Sequence, residues 1–387
     1  VSATRAPDGQ RLTELLEVFG RLGFTAFGGP AAHIAMMRDE VVRRRAWMSD
    51  SEFVDLLAAT NLIPGPNSTE MAIHIGARRA GAAGLVVAGA AFILPATFIV
   101  GALAWAYVRF GAVPQVAWLL YGIKPVIIAV VVHALWGLVR TVIRIPIMAW
   151  VAAAALAVYL MGVNEIAILI VAGVAVMAFR RVTTVAAALA LAAVPSVAAG
   201  AAPVGAAAVA APAAITLPGI FLLFAKIGSV LYGSGYVLLA FLHGDLVERL
   251  RWLTDRQLLD AVAIGQFTPG PVFTTATFVG YLLMGPAGAA AATLGIFLPA
   301  FVFVAISAPL VPRIRRSPVA GAFLDGVNAA SLALMAGVSL RLAREAIVDP
   351  ITAVVAVAAL AVLVRTRINS AWLVAAGAVI GFVTRAR

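Results

Sequence analysis

Cysteine is absent from all 387 residues, which excludes disulfides, thiolate metal sites and cysteine nucleophiles. Histidine occurs four times, scattered, with no His-Glu-x-x-His pattern, so the usual metal and nucleophile constellations of an enzyme are missing. No Walker A motif is present, so the chain has no ATP-hydrolysing loop of its own. Charge is the largest deficit. Only 12% of residues are charged, where a soluble domain carries about 25%. Lysine occurs only at Lys124 and Lys226.

What is abundant is apolar. Hydrophobic residues make up 63% of the chain, mean hydropathy is +1.04, and most of the sequence divides into runs of about 20 residues, the length that crosses a bilayer as a helix. Charges collect between these runs, as expected where burial in lipid costs several kcal/mol. The reading is an all-α, polytopic membrane helix bundle. The net charge of +11 does not imply nucleic acid. The arginines stand singly or in pairs at span ends (Arg78-Arg79, Arg180-Arg181, Arg365, Arg367), as topology-setting loop charges do. The first twenty residues are polar and then amphipathic, unlike a cleaved leader, so direct insertion into a plasma membrane is expected.

The chain says nearly the same thing twice. DLLAATNLIPGPNSTEMAIHIGARRAG around Pro64 returns as DAVAIGQFTPGPVFTTATFVGYLLMG around Pro269, an offset of 269 − 64 = 205. Leu94-Pro95 returns as Leu298-Pro299 at 204, and Gly122, Arg140, Pro146 and Gly173 find counterparts in Gly326, Arg344, Pro350 and Gly377. Internal duplication in an apolar chain is the mark of a transporter built from two repeats. The expected organisation is an N-terminal transporter repeat over 1–181, an Ala-rich linker over 182–215 and a C-terminal repeat over 216–387. Spans are expected near 12–38, 53–77, 81–108, 115–140, 145–162 and 165–180, then near 217–244, 258–284, 286–311, 322–347, 350–364 and 368–384. The linker reads either as a flexible connection or as one more crossing, despite its prolines.

Loop charge decides between these. Arg78 and Arg79 face an uncharged turn at Met284-Gly285-Pro286, whereas Arg313, Arg315 and Arg316 follow a span whose counterpart has Arg109 alone. By the positive-inside rule the halves are oppositely oriented. With six spans per half, that inversion requires the linker to cross, giving about 13 transmembrane helices and a cytoplasmic N-terminus. The arginine-rich loop 38–52 then falls outside, against the rule.

The first two spans of each repeat are broken at FGGPAAH, NLIPGPNSTE, YGSGY and GQFTPGPVFTT. Such backbone is tolerated at membrane depth only where buried in protein or lining a cavity. A helix start beyond a break carries about half a positive charge and free N–H groups, and is a ready anion site. Candidate substrate-binding residues are therefore Gly28, Gly29 and Pro30; Asn61, Pro64, Gly65, Pro66, Asn67, Ser68 and Thr69; Gly233, Ser234 and Gly235; and Gln266, Pro269, Gly270, Pro271, Thr274 and Thr275. Asn61 and Gln266 read equally as satisfying backbone groups freed by the breaks.

Arg21 and Lys226, also 205 apart, are candidate anion-binding cations. Arg21 could instead simply pair with Glu17 one turn earlier, while Lys226 has no carboxylate nearby in sequence. Lys124 reads as a pathway cation or as a side chain snorkelling to an interface. Proton-coupling candidates are Glu70, Asp55, Asp260 and His33, with His74 as a further shuttle. Against this, Asp55 and Asp260 read as residues that only cap or orient, Glu70 as a complement to the helix dipole, and the histidines as structural. No catalytic residue, metal or cofactor is expected.

At these residues the chain resembles the chromate ion transporter (CHR) family of bacterial inner-membrane proteins, in its long two-domain form. The resemblance rests on FGGPAAHIAMMRDEVV with Trp47, the two Pro-Gly-Pro segments, FAKIGSVLYGSGYVLLAFL with Trp252, and the FILPA and GIFLPAF segments. It covers both repeats but not the linker. It implies multi-pass residence in the bacterial inner membrane and efflux of chromate, conferring resistance, with sulfate as a structural mimic. Expected partners are the oxyanion, the lipid bilayer and a second copy in a homodimer.

Overall fold

The computed structural model describes residues 8–27, 29–60, 63–110, 114–143, 145–189, 214–231, 237–307, 318–366, 368 and 370–385. Among them are fourteen α-helices and no β-strand. The first half holds α1 (Asp8–Thr25), α2 (Gly29–Arg38), α3 (Asp50–Thr60), α4 (Asn67–Phe110), α5 (Pro114–Val142), α6 (Pro146–Leu160) and α7 (Glu165–Leu189). The second holds α8 (Leu217–Val230), α9 (Leu238–Leu242), α10 (Asp255–Phe267), α11 (Thr275–Ser307), α12 (Pro318–Ala346), α13 (Pro350–Arg365) and α14 (Ser370–Arg385). A wider π turn extends α2 over Asp39–Arg44 and α9 over His243–Arg249. The expected linker lies largely outside the described residues, apart from the end of α7.

Local chemistry sets the helix starts. Ser49 and Glu52 exchange hydrogen bonds at the head of α3, and Thr254 and Gln257 do the same at the head of α10, each satisfying end groups of the first turn. Asp349 and Thr352 form a third such box before α13, with Pro350 next in line. The matching start of α6, Ile145-Pro146, has the proline but no side-chain cap.

The outer helices fall where the apolar runs predict them. The first two expected spans of each half do not. Arg45 lies 3.5 Å from Glu17 and Arg21 2.6 Å from Glu40, yet an unbroken helix would hold Glu17 and Arg45 about 42 Å apart. So α1 and α2 fold back on each other. Glu52, at the head of α3, pairs with Arg78 of α4, a separation of about 39 Å in a straight helix. The spans expected near 12–38 and 53–77 are thus hairpins whose two ends lie on one face, with the Gly/Pro breaks at their tips. In the second half, Lys226 of α8 lies 2.5 Å from Asp245 beyond α9, which requires the same reversal.

Helix α4 itself reverses at Ala80-Gly81, where Gly81 has φ 61° and ψ −146°. Helix α11 reverses at Met284-Gly285, where Gly285 has φ 59° and ψ −149°. Only glycine adopts this backbone without strain. Beyond the reversal the legs touch through bare backbone, Gly76 against Gly84 and Gly280 against Gly288. Each element is therefore a short leg followed by a long one.

The long legs lie against each other and run in opposite directions. Gly89, early in the long leg of α4, meets Phe301, late in the long leg of α11, while Tyr107 at the end of α4 packs on Phe278, ring centres 5.3 Å apart, in the short leg of α11 that lies back along the start of its long leg. Helix α1 crosses α4 at Gly23 and α8 crosses α11 at Gly228, each against backbone carbonyls. The outer helices pack on the opposite half: α5 on α13 and α14, and α12 on α6 and α7. Gly122 seats on Gly377 and Gly381, and Gly326 on Ala172 and Gly173. In lipid, where apolar burial does not drive helices together, small residues that let backbones approach supply the attraction. Trp150 and Trp372 are each 75% exposed and Phe98 72%, so the outside of the bundle is as apolar as a bilayer requires.

Candidate functional site

The hairpin tips meet. The Gly65 N–H donates to the Leu231 carbonyl at 2.8 Å, and the Gly270 N–H donates to the Ala26 carbonyl at 2.9 Å. These bonds are counterparts, since Gly65 and Gly270, and Ala26 and Leu231, both stand 205 apart. Each Pro-Gly-Pro tip of one half is thereby bonded to the first break of the other. The glycines are required here: φ is 140° at Gly65 and 89° at Gly270, a Cβ on Gly65 would collide with Glu70, and one on Gly270 would fall 2.7 Å from Ala96 Cβ.

Around this junction the helix starts are buried. Pro30 stands in the first turn of α2, and α4 begins at Asn67, with Ser68, Thr69 and Glu70 all buried. Pro269, Gly270, Pro271, Thr274 and Thr275 are buried as well. Thr274 and Thr275 donate back to the carbonyls of Pro271 and Val272, both at 2.8 Å, so their hydroxyl hydrogens already serve the break. Thr69 Oγ1, both Glu70 oxygens and Gln266 Nε2 are buried without a hydrogen-bond partner. His33, buried on α2, faces the Ala26 carbonyl at 3.0 Å through Nε2 and leaves Nδ1 unpartnered. Gly28, Asn61, Gly233, Ser234 and Gly235 lie outside the described residues, as does the side chain of Asp55.

The cations are disposed differently from the expectation. Lys226 has a carboxylate after all, Asp245, which also takes Arg249 at 2.8 Å. Arg21 pairs with Glu40 rather than Glu17, and Glu17 takes Arg45. Glu40 and Asp245 were missed because each lies 19 residues beyond its cation, across a fold-back invisible to helical spacing. The usable signal was that both carboxylates recur at the same offset of 205. Lys124 neither snorkels nor stands free. Its Nζ is 2.9 Å from Asp260, which is 1% exposed, and Tyr107 donates to the other Asp260 oxygen at 2.7 Å. Asp260 therefore does not cap α10; Thr254 does.

Two apolar hollows lie elsewhere. One of about 510 Å³ opens between α5, α13 and α14, and one of about 330 Å³ between α5, α6 and α12. Their linings, Val, Leu, Ala and similar residues, offer an anion no donor, so neither competes with the junction.

The comparisons with known proteins fit this arrangement. The family described as Chromate transporter matches residues 13–179 and again 218–382. The chain belongs to the chromate transporter family. It is similar to the chromate transport protein of Cupriavidus metallidurans, 33% identical over 96% of this chain and 93% of that protein. Similarity to the chromate transport protein of Pseudomonas aeruginosa is also 33%, over 86% and 81%. The probable chromate transport protein of Synechococcus elongatus is 29% identical over 87% and 86%. No solved structure matches the chain. As a member of this transporter family it is a multi-pass membrane protein and not an enzyme.

Proposed function

We propose that this protein is a secondary transporter that exports chromate from the cytoplasm across the bacterial inner membrane, and so confers chromate resistance. Its two halves are inverted repeats, and their broken helices bind the oxyanion at a shared central site. The observation that carries this reading is the reciprocal junction, Gly65 to Leu231 and Gly270 to Ala26. It supports the reading because helix starts from both halves adjoin these two bonds, and alternating access by rocking one half against the other proceeds from such an arrangement.

Inversion is supported by the opposed long legs of α4 and α11, with Gly89 beside Phe301 and Tyr107 beside Phe278. The first-half hairpins then open on one face and the second-half hairpins on the other. Each half contributes four crossings rather than six, and with the linker crossing once the total becomes nine, still odd. The hairpin face bearing Arg38, Arg43, Arg44, Arg45, Arg78 and Arg79 becomes cytoplasmic. The arginine-rich loop 38–52 then obeys the positive-inside rule instead of opposing it.

Binding rests first on backbone N–H groups, on Asn67 and Thr69 at the start of α4, and on Gln266 at the end of α10, with Ser68, Pro64, Pro66, Gly29 and Pro30 shaping the approach. Arg21, Lys226 and Lys124 add charge from pairs that a dianion can polarise without leaving a bare cation behind. The potential suffices as a driving force. A dianion leaving a cell at roughly 150 mV, inside negative, gains about 7 kcal/mol. At about 1.4 kcal/mol per tenfold, that sustains about five decades of gradient. Proton exchange adds to it. Labelled chromate uptake into everted vesicles tests the reading: uptake is expected to fall when the potential is collapsed. Absence of uptake under any imposed gradient overturns it. Sulfate, with the same charge and tetrahedral shape, is the second reading, favoured if it competes more strongly than chromate.

A further inference from the structure

The first half carries a polar stripe that the second half lacks. Glu70, His74 and Arg78 stand at positions i, i+4 and i+8 of the short leg of α4, and so share one face. Their counterparts at an offset of 205 are Thr275, Val279 and Leu283, and Thr275 is already satisfied by the Val272 carbonyl. Glu70 is 0% exposed and His74 2%, yet both Glu70 oxygens and His74 Nε2 have no hydrogen-bond partner. Burying such groups unpaired opposes folding, so packing gives no reason for the stripe. Its inner end lies at the junction, because Glu70 Oε1 rests over Gly65, whose N–H is bonded to the other half. Its outer end is Arg78, 54% exposed and paired with Glu52 on the hairpin face.

We propose that Glu70 and His74 form a one-sided proton relay linking the central oxyanion site to the cytoplasmic face, with His74 as the intermediate carrier and Glu70 as the group that exchanges its proton for the anion. The inference rests on the transport reading above. The step is a proton transfer alone. A proton held on the Glu70 carboxyl passes to the vacant ring nitrogen of a neutral His74, and the imidazolium releases a proton from its other ring nitrogen toward the hairpin face.

Other ionisable groups brought up by the elements packed against α4 are committed elsewhere or lie off the stripe. Helix α1 brings Glu14, held by Arg79, and Arg21, held by Glu40. Helix α2 brings His33, directed at the Ala26 carbonyl. Helix α3 brings Glu52, held by Arg78; the side chain of Asp55 lies outside the described residues. Helix α10 brings Asp260, held by Lys124, and α11 brings no charged side chain.

The test uses the full chain in proteoliposomes of defined orientation. Labelled chromate flux and a pH-sensitive dye are read together, first under a pH gradient with the potential clamped at zero, then under a potential without a pH gradient. In Glu70→Gln, pH-driven flux and chromate-linked proton movement are expected to fall by about a hundredfold, the scale of a lost proton-transfer group, while potential-driven flux persists. His74→Gln, which leaves Glu70 in place should the first variant fold poorly, is expected to slow proton movement while potential-driven flux persists. The relay is overturned if both variants keep full coupling, if both lose potential-driven flux in proportion to pH-driven flux, or if the unaltered protein moves chromate with no response to the pH gradient. Chromate flux absent from the unaltered protein under both gradients overturns the transport reading instead.

Discussion

The two family-matched halves share a backbone plan and differ in where they place buried charge. The second half commits its aspartate: Asp260 is closed by Lys124 and Tyr107. The position matching Lys124 in the other half is the uncharged Asn328. The first half instead carries an open carboxyl, Glu70, where the second has a hydroxyl, Thr275, bonded to its own break. One half closes its charge and the other leaves one available. Duplication supplied the scaffold, and divergence at a few buried positions gave the halves different chemistry.

Substitutions can break this comparison, and the largest effect is expected at the junction. Gly270→Val puts a branched side chain against Ala96 and the Gly23 carbonyl at positive φ, at a cost of roughly 3 kcal/mol or more from clash and backbone strain. Gly285→Ala, with nothing within 4 Å of its Cβ, incurs only the backbone penalty of its conformation, about 1–3 kcal/mol. Thermal unfolding in detergent should rank them in that order, and equal losses would show that the tips are not in contact. Next comes Lys124→Ala, which leaves Asp260 buried beside Tyr107 alone and should cost about 3–5 kcal/mol. The double variant with Asp260→Asn should recover most of this, and Asn328→Ala should do little. A failure of the second change to rescue the first would mean the pair is not the interaction that matters.

Gly122→Leu and Gly326→Leu sharpen the comparison from the symmetric side. Each forces apart a glycine-seated crossing between halves, so folded yield should fall by similar amounts; loss at one site alone would deny the exchange of outer helices. The smallest effect concerns helix starts. Asp349→Ala should cost about 1 kcal/mol, while Ile145→Asp, supplying the cap that α6 lacks, should add a comparable fraction. The Asp349 carboxyl is held below its ordinary range by the Thr352 backbone N–H, and next by the Tyr121 hydroxyl. Its stabilisation is therefore present above the unfolded value, near about 3.9, and is lost as pH falls through the lower folded value. Melting curves between neutral and strongly acidic pH should converge for the native chain and Asp349→Ala; a constant gap would remove the carboxylate from the explanation.

Much of the site was legible because the repeat doubled every signal. Pro64-Gly65-Pro66 and Pro269-Gly270-Pro271 identify each other, and so do Arg21 and Lys226. The partners Glu40, Asp245 and Tyr107 were not legible, since each meets its ion pair or hydrogen bond only after the chain reverses or the two halves pack together. The expected crossings near 12–38 and 53–77 went astray for a related reason. Hydropathy measures how apolar a run is, and a hairpin buried in protein is as apolar as a span.

By itself, the sequence determined the membrane solvent, the duplication, the positions of the breaks and the family, because composition, offsets and motifs are properties of the chain alone. Only the tertiary structure decided that the broken segments fold back, that their tips are bonded across the halves and that Arg21, Lys226 and Lys124 are each paired with a carboxylate. Those facts depend on the direction the chain takes after a glycine or proline, and that direction is set by the surfaces it packs against.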